Sequence, residues 1–207
     1  MDILTPQFLL TSLIVVLIPG TGVVFTISTG IAQGVRGSIY AALGCTAGIL
    51  PHLLATVLGL AAVMHTSAVA FQALKYAGVA YLLYLAYATW RDRSELVVDD
   101  AAQRRAGAWS LVVKAFLLNI LNPKLTIFFL AFLPQFVRPD GVAPLAQMLG
   151  LSAVFMAMTF AVFVLYGLLA HAFRRRVIDS PRVQSYLRKG FAAAFAGLGV
   201  QLAVSDR

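Results

Sequence analysis

Residues 116–137, FLLNILNPKLTIFFLAFLPQFV, set Asn119, Asn122, Pro123 and Lys124 inside an otherwise apolar run. Two carboxamides, an ammonium and a residue without a backbone donor are the equipment for recognising a small zwitterion: the ammonium attracts a carboxylate, and carboxamides both donate and accept. A lysine at the centre of a membrane span costs about 2.5–3.5 kcal/mol on insertion scales, so an intramembrane charge marks a functional site by default. Roughly a dozen uncharged residues follow Lys124 and about ten precede it, which works against snorkelling to an interface. Asn119 and Asn122 are three apart and are expected to share a helix face. Their structural alternative is to join helices by interhelical hydrogen bonds.

A second interrupted run, FLLTSLIVVLIPGTGVVFTIS (8–28), carries Pro19, Gly20 and Thr21. A proline lacks the N–H that its helix would use and crowds the carbonyl four residues back, so Pro19 and Pro123 free the carbonyls of Val15 and Asn119. Freed backbone groups survive in a membrane only against protein or a watery cavity, which turns both breaks inward. Each break offers an amide end suited to a carboxylate and a carbonyl end suited to an ammonium. The candidate substrate-binding residues are therefore Pro19, Gly20, Thr21, Asn119, Asn122, Pro123 and Lys124.

The elements that must position these residues follow from composition. Of 207 residues, 60% are hydrophobic and 12% charged, with mean hydropathy +0.87, far from the soluble average. Six apolar stretches long enough to span a bilayer are expected at roughly 6–30, 38–64, 69–90, 111–136, 144–173 and 184–204. Asp2 precedes the first and no cation comes before Arg36, unlike a removable signal peptide. The expected fold is an all-α membrane protein, one domain over 1–207. Pro19 and Pro123 lie about half the chain apart, so it reads as a 3+3 inverted repeat, with helices 1 and 4 broken at proline. Repeat one covers 1–90, a cytoplasmic loop 91–110, and repeat two 111–207.

Charge assigns the sides. The 1–2, 3–4 and 5–6 loops collect Arg36, Arg91, Arg93, Arg104, Arg105, Lys114, Arg174, Arg175, Arg176, Arg182, Arg188 and Lys189, whereas Lys75, Arg138 and Arg207 fall opposite. Cationic flanks stay in the cytoplasm, which puts both termini outside. The net charge of +8 is then topology, not a nucleic-acid surface. HAFRRR (171–176) anchors that side and could attract anionic lipid heads.

All eight acidic residues, Asp2, Asp92, Glu95, Asp99, Asp100, Asp140, Asp179 and Asp206, fall outside these spans. That leaves His52, with a reference pKa near about 6.5, as the proton-coupling candidate; Lys124 is the second, and a neutral histidine bonded across helices is the alternative. Pro51 is expected to loosen the second helix. His65 and His171 sit near span ends. Cys45 is the lone cysteine, which excludes an intrachain disulfide or CxxC site and reads as packing. No HExxH or GxSxG motif is present, so no enzyme, cofactor or metal site is expected. Gly30 and Gly34, and Gly44 and Gly48, have the GxxxG spacing of close helix contacts, with self-association into a homo-oligomer as the alternative use. Tyr81 and Tyr84 share a face and are read as packing or belt residues.

LNPK followed by FFLAFLPQFV, the break IPGTG, the glycine ladder TGIAQGVRGSIYAALGCTAG and LKYAGVAYLLYLAYATWR together resemble the LysE/RhtB family of bacterial amino-acid exporters, from about residue 5 to residue 202. The resemblance implies a six-helix protein of the bacterial inner membrane that moves amino acids or close derivatives out of the cytoplasm on the proton gradient. Where such exporters commonly read Pro-Gly-Pro followed by Asp or Asn, this chain has Thr21 and Gly22, and Leu50 replaces a common Asp. A neutral substrate side chain is expected. The competing classes are a metal-ion or other small-solute permease, for which one His and one Cys are thin ligands, and a membrane assembly factor, which leaves Lys124 unexplained.

Overall fold

The structure, a computed structural model, describes residues 4–64, 68–91, 106–137, 144–177 and 181–204. All eight acidic residues and His65, Arg93, Arg104, Arg105, Arg138 and Arg207 lie outside the described residues, as do the side chains of 171–176, Arg182 and Arg188. Every regular element among the described residues is helical. In chain order these are α1 Pro6–Leu17, α2 Thr21–Ala47, α3 Leu50–Met64, α4 Ala68–Arg91, α5 Ala108–Ile120, α6 Pro123–Ile127, α7 Pro144–Val177 and α8 Pro181–Val204.

Local chemistry sets several boundaries. The Thr5 hydroxyl accepts from the Phe8 amide at 3.1 Å and Pro6 opens α1, where a missing N–H costs nothing. Pro51 acts the same way. It lies in the first turn of α3, after α2 has ended at Ala47, so it starts a helix and does not kink one. Beyond α6 the backbone widens into a π turn over Phe128–Phe132 and tightens into a 3-10 turn over Leu133–Phe136. Pro134, which cannot donate to Leu130, accounts for the change of pitch.

Helix α2 is not one rod. Gly34 has φ 68° and ψ −151°, a conformation open essentially to glycine alone. The Cys45 thiol lies 3.7 Å from the Gly22 carbonyl, 23 positions away. A straight helix would separate them by about 35 Å. The chain therefore reverses at Gly34, and residues 21–33 and 35–47 run back along each other as a hairpin. The reversal lies in the gap between the first two expected spans. It also gives Gly34 a different role from Gly30: a Cβ on Gly30 would strike the Gly167 backbone of α7, whereas Gly34 makes the turn. Gly44 and Gly48 pack on α5, where added Cβ atoms would meet the carbonyls of Val112 and Phe116.

Packing centres on this hairpin, which lies mainly against α7 and α5, while α4 pairs with α8. Buried Phe128 stacks on Phe155 at 4.4 Å between ring centroids, and Phe8 meets Phe136 edge-on at 5.3 Å. These contacts tie α1, α7 and the segment after α6 into one core. The outer surface is apolar: Leu54, Leu58, Trp109 and Leu121 are all exposed, and Tyr84 lies outside with its ring 5.9 Å from that of Tyr81. Pro144–Ala170 is long and apolar enough to cross a membrane, as are α5 and Pro123–Phe136 taken as one span bent by 53°.

Candidate functional site

Two helix interruptions meet in the interior. At the first, α1 ends at Leu17, Ile18 is extended (φ −65°, ψ 120°), and Gly20 precedes α2 without any side-chain cap. The amides of the first α2 turn have no partner within the helix, and Pro19 supplies no donor to Val15. The second interruption follows Ile120. Asn122 is extended, and its Oδ1 accepts from the Lys124 amide at 3.1 Å, capping α6 with Pro123 at the first position. Asn119 and Asn122 thus lie on opposite sides of a break, not on one helix face. They still touch: Asn122 Nδ2 donates to Asn119 Oδ1 at 3.3 Å.

Lys124 joins the two interruptions. It is buried, and its Nζ donates to the Val15 carbonyl at 2.9 Å and the Ile18 carbonyl at 2.7 Å. The carbonyl end of α1 therefore holds the protein's own ammonium, where a substrate ammonium was expected. Two of the three Lys124 N–H bonds are used this way. A Cβ built on Gly20 would lie 3.2 Å from Asn122 Nδ2 and 3.7 Å from Lys124 Nζ. Thr21 adds a second tie, its hydroxyl donating to the Leu118 carbonyl at 3.2 Å. Pro19 and Pro123 shape the breaks and bring no polar side chain.

The carbonyl of Asn119, four before Pro123, is met by another basic group: His52 Nε2 lies 3.1 Å away. His52 is buried, with Thr126 Oγ1 3.2 Å from its Nδ1 and the Phe129 ring stacked at 6.5 Å. Asn119 Nδ2 donates to the Cys45 carbonyl at 2.6 Å, which ties the returning arm of α2 to the site. So Val15 and Asn119, the carbonyls four residues before the two prolines, each face a basic side chain, although the Asn119 carbonyl also accepts from the Asn122 amide at 3.1 Å. What the sequence did not single out is Thr126 and Leu118. One is an ordinary-looking helix threonine and the other acts through its backbone, so neither carried a signal.

Chemically, the arrangement can hold an anion. An ammonium, the Asn122 amide group and the uncapped start of α2 converge around Gly20, and no carboxylate occurs anywhere among the described residues. No group of three or more metal-ligating side chains occurs among the described residues either.

Residues 13–206 match the model of the LysE type translocator family. The chain belongs to the LysE family. A LysE relative from Salmonella typhimurium, named homoserine/homoserine lactone efflux protein, is 33% identical over 95% of this chain and 94% of its own length. A leucine efflux protein from Klebsiella pneumoniae is 27% identical over 95% of this chain and 92% of its own. A protein from Vibrio cholerae serotype O1 named only as a membrane protein is 35% identical over 96% of this chain and 95% of its own. No solved structure matches. As a LysE translocator the chain is a membrane transport protein, and the apolar exterior and buried polar centre are what that task requires.

Proposed function

We propose that this protein exports amino acids, or close derivatives with a neutral side chain, across the bacterial inner membrane by proton-coupled alternating access. Two inverted three-helix halves rock about the paired breaks, with both termini outside and substrate entering from the cytoplasm. The reversal at Gly34 and the matched positions of Pro19 and Pro123 support this arrangement. The observation that carries the reading is the meeting of Lys124 with both interruptions.

Lys124 and the amide end of α2 hold the substrate carboxylate. Since Lys124 already covers the Val15 and Ile18 carbonyls, the substrate ammonium goes to the side-chain oxygens of Asn119 and Asn122. His52 carries the coupled proton. The names of the two efflux relatives point to neutral cargo: homoserine and its lactone in one, leucine in the other. The test is efflux of preloaded labelled leucine, homoserine and other neutral amino acids from cells with and without the protein. Faster loss of at least one is expected; equal loss of all overturns the proposal.

A further inference from the structure

We infer that the Thr126 hydroxyl is a two-position relay that transmits the protonation state of His52 to Asn122, at the break where substrate binds. The inference rests on the proton-coupled reading above and names the residue through which coupling reaches the site.

The His52 tautomer is fixed by its surroundings. Nε2 faces the Asn119 carbonyl, which can only accept, so Nε2 carries the hydrogen. Neutral His52 then presents a lone pair at Nδ1, and the hydroxyl 3.2 Å away must donate to it.

Four other helical threonines bond within their own turn. Buried Thr26, Thr29, Thr56 and Thr159 all donate to the carbonyl four residues back, at 2.8, 2.8, 2.8 and 2.9 Å. For Thr126 that carbonyl is Asn122's, which already accepts from the Leu125 and Thr126 amides at 3.1 and 3.4 Å. Thr126 thus has one acceptor in the imidazole nitrogen, and the carbonyl four residues back is the acceptor a helical threonine ordinarily uses.

When a proton binds Nδ1, that nitrogen becomes a donor. The Thr126 oxygen must then accept, and its hydrogen turns to the Asn122 carbonyl. Asn122 is the cap of α6, bonded to the Lys124 amide and to Asn119. A proton at His52 therefore changes the hydrogen bonding of the residue beside the substrate site. No carboxylate on any described helix competes for it. The remaining titratable groups on elements around α3 are Arg36, Tyr40 and Cys45 on α2, Lys75, the tyrosines and Arg91 on α4, Lys114 on α5, Lys124 on α6, and Tyr166, His171 and the arginines on α7.

The test compares Thr126→Val, which keeps shape without the hydroxyl, with Thr126→Ser, which keeps the hydroxyl. Nitrogen-15 NMR of histidine-labelled protein in nanodiscs, with His52→Gln to assign the signal, reads tautomer and titration without transport. Neutral His52 is expected as the Nε2–H form. Its titration midpoint should move by about threefold or more in proton concentration in Thr126→Val, the scale of one hydrogen bond, and return in Thr126→Ser. The pH profile of efflux should move with it. An Nδ1–H tautomer, an unmoved midpoint in Thr126→Val, or a slower efflux with an unshifted pH profile overturns the relay. Absence of efflux in the unmodified protein overturns the export proposal instead, while the NMR result still decides the relay.

Discussion

Replacing Lys124 with Met separates recognition from architecture because the two effects have different sizes. On the folding side, the ammonium serves the Val15 and Ile18 carbonyls, and leaving a buried acceptor unpaired costs about 1–3 kcal/mol each. Against that, the variant no longer buries a charge whose insertion costs about 2.5–3.5 kcal/mol. These terms nearly cancel, and an unbranched apolar chain of similar length fills the same space. The fold should survive with a melting temperature close to that of the parent.

Binding has no such compensation. A hydrogen bond to a charged group contributes about 1.5–3 kcal/mol, which corresponds to roughly a 10- to 150-fold rise in half-saturation. Counterflow of labelled substrate in reconstituted vesicles measures this directly, with thermal unfolding of the same sample as control. An unchanged half-saturation in a well-folded Lys124→Met protein would falsify the anion assignment. Unchanged half-saturation with a lowered melting temperature would reduce Lys124 to a cap on α1.

Gly34→Ala should destabilise the α2 hairpin by about 1–3 kcal/mol, because φ 68° with ψ −151° is strained for any residue with a Cβ; thermal unfolding checks it. Gly44→Ala should cost about 1–3 kcal/mol by overpacking, since its Cβ would meet the Val112 carbonyl and Ala115. Gly59→Ala in α3, with nothing within 4 Å of its Cβ, should be neutral or up to about 1 kcal/mol stabilising, and the same unfolding assay compares the pair. Dibasic amino acids should compete poorly for efflux: a second ammonium about 7 Å from Lys124 costs about 2.4 kcal/mol at an effective dielectric of 20, roughly 50-fold. Inhibition of leucine efflux by lysine at equal concentration to homoserine would contradict this.

The helical class and family were legible because they rest on patterns that need no partner: long apolar runs, prolines within them and a dense set of family motifs. The polar side chains of the centre were legible by their cost. Lys124, Asn119, Asn122 and His52 are expensive in an apolar run and so announce themselves. What they bond to was not legible, because the partners are backbone atoms far along the chain. Lys124 and Val15 are 109 positions apart, and His52 and Asn119 67. A spacing of three suggested that Asn119 and Asn122 share a helix face, yet a single extended residue at Asn122 replaces that relation with a side-chain bond across the break. Gly34 shows the same ambiguity. GxxxG spacing cannot distinguish a glycine that admits a neighbouring backbone from one that turns its own.

The charge balance of the helices ties these observations together. No carboxylate occurs among the described residues, and there the Lys124 ammonium is held by the carbonyl dipoles of Val15 and Ile18. The carbonyl end of a short helix supplies about half an elementary charge, enough to keep an ammonium but not to neutralise it. In the proposed function, a carboxylate arriving at the uncapped start of α2 would complete the balance from the other side. The same logic applies at Asn119, where α5 presents its carbonyl end to His52, a group that can gain or lose its charge. One break carries a lysine whose ammonium an anionic group can neutralise, and the other carries an imidazole. Asn119 and Asn122 connect them by hydrogen bonds, so in the proposed function occupancy of the first and protonation of the second would act on the same two residues, the physical condition for coupling.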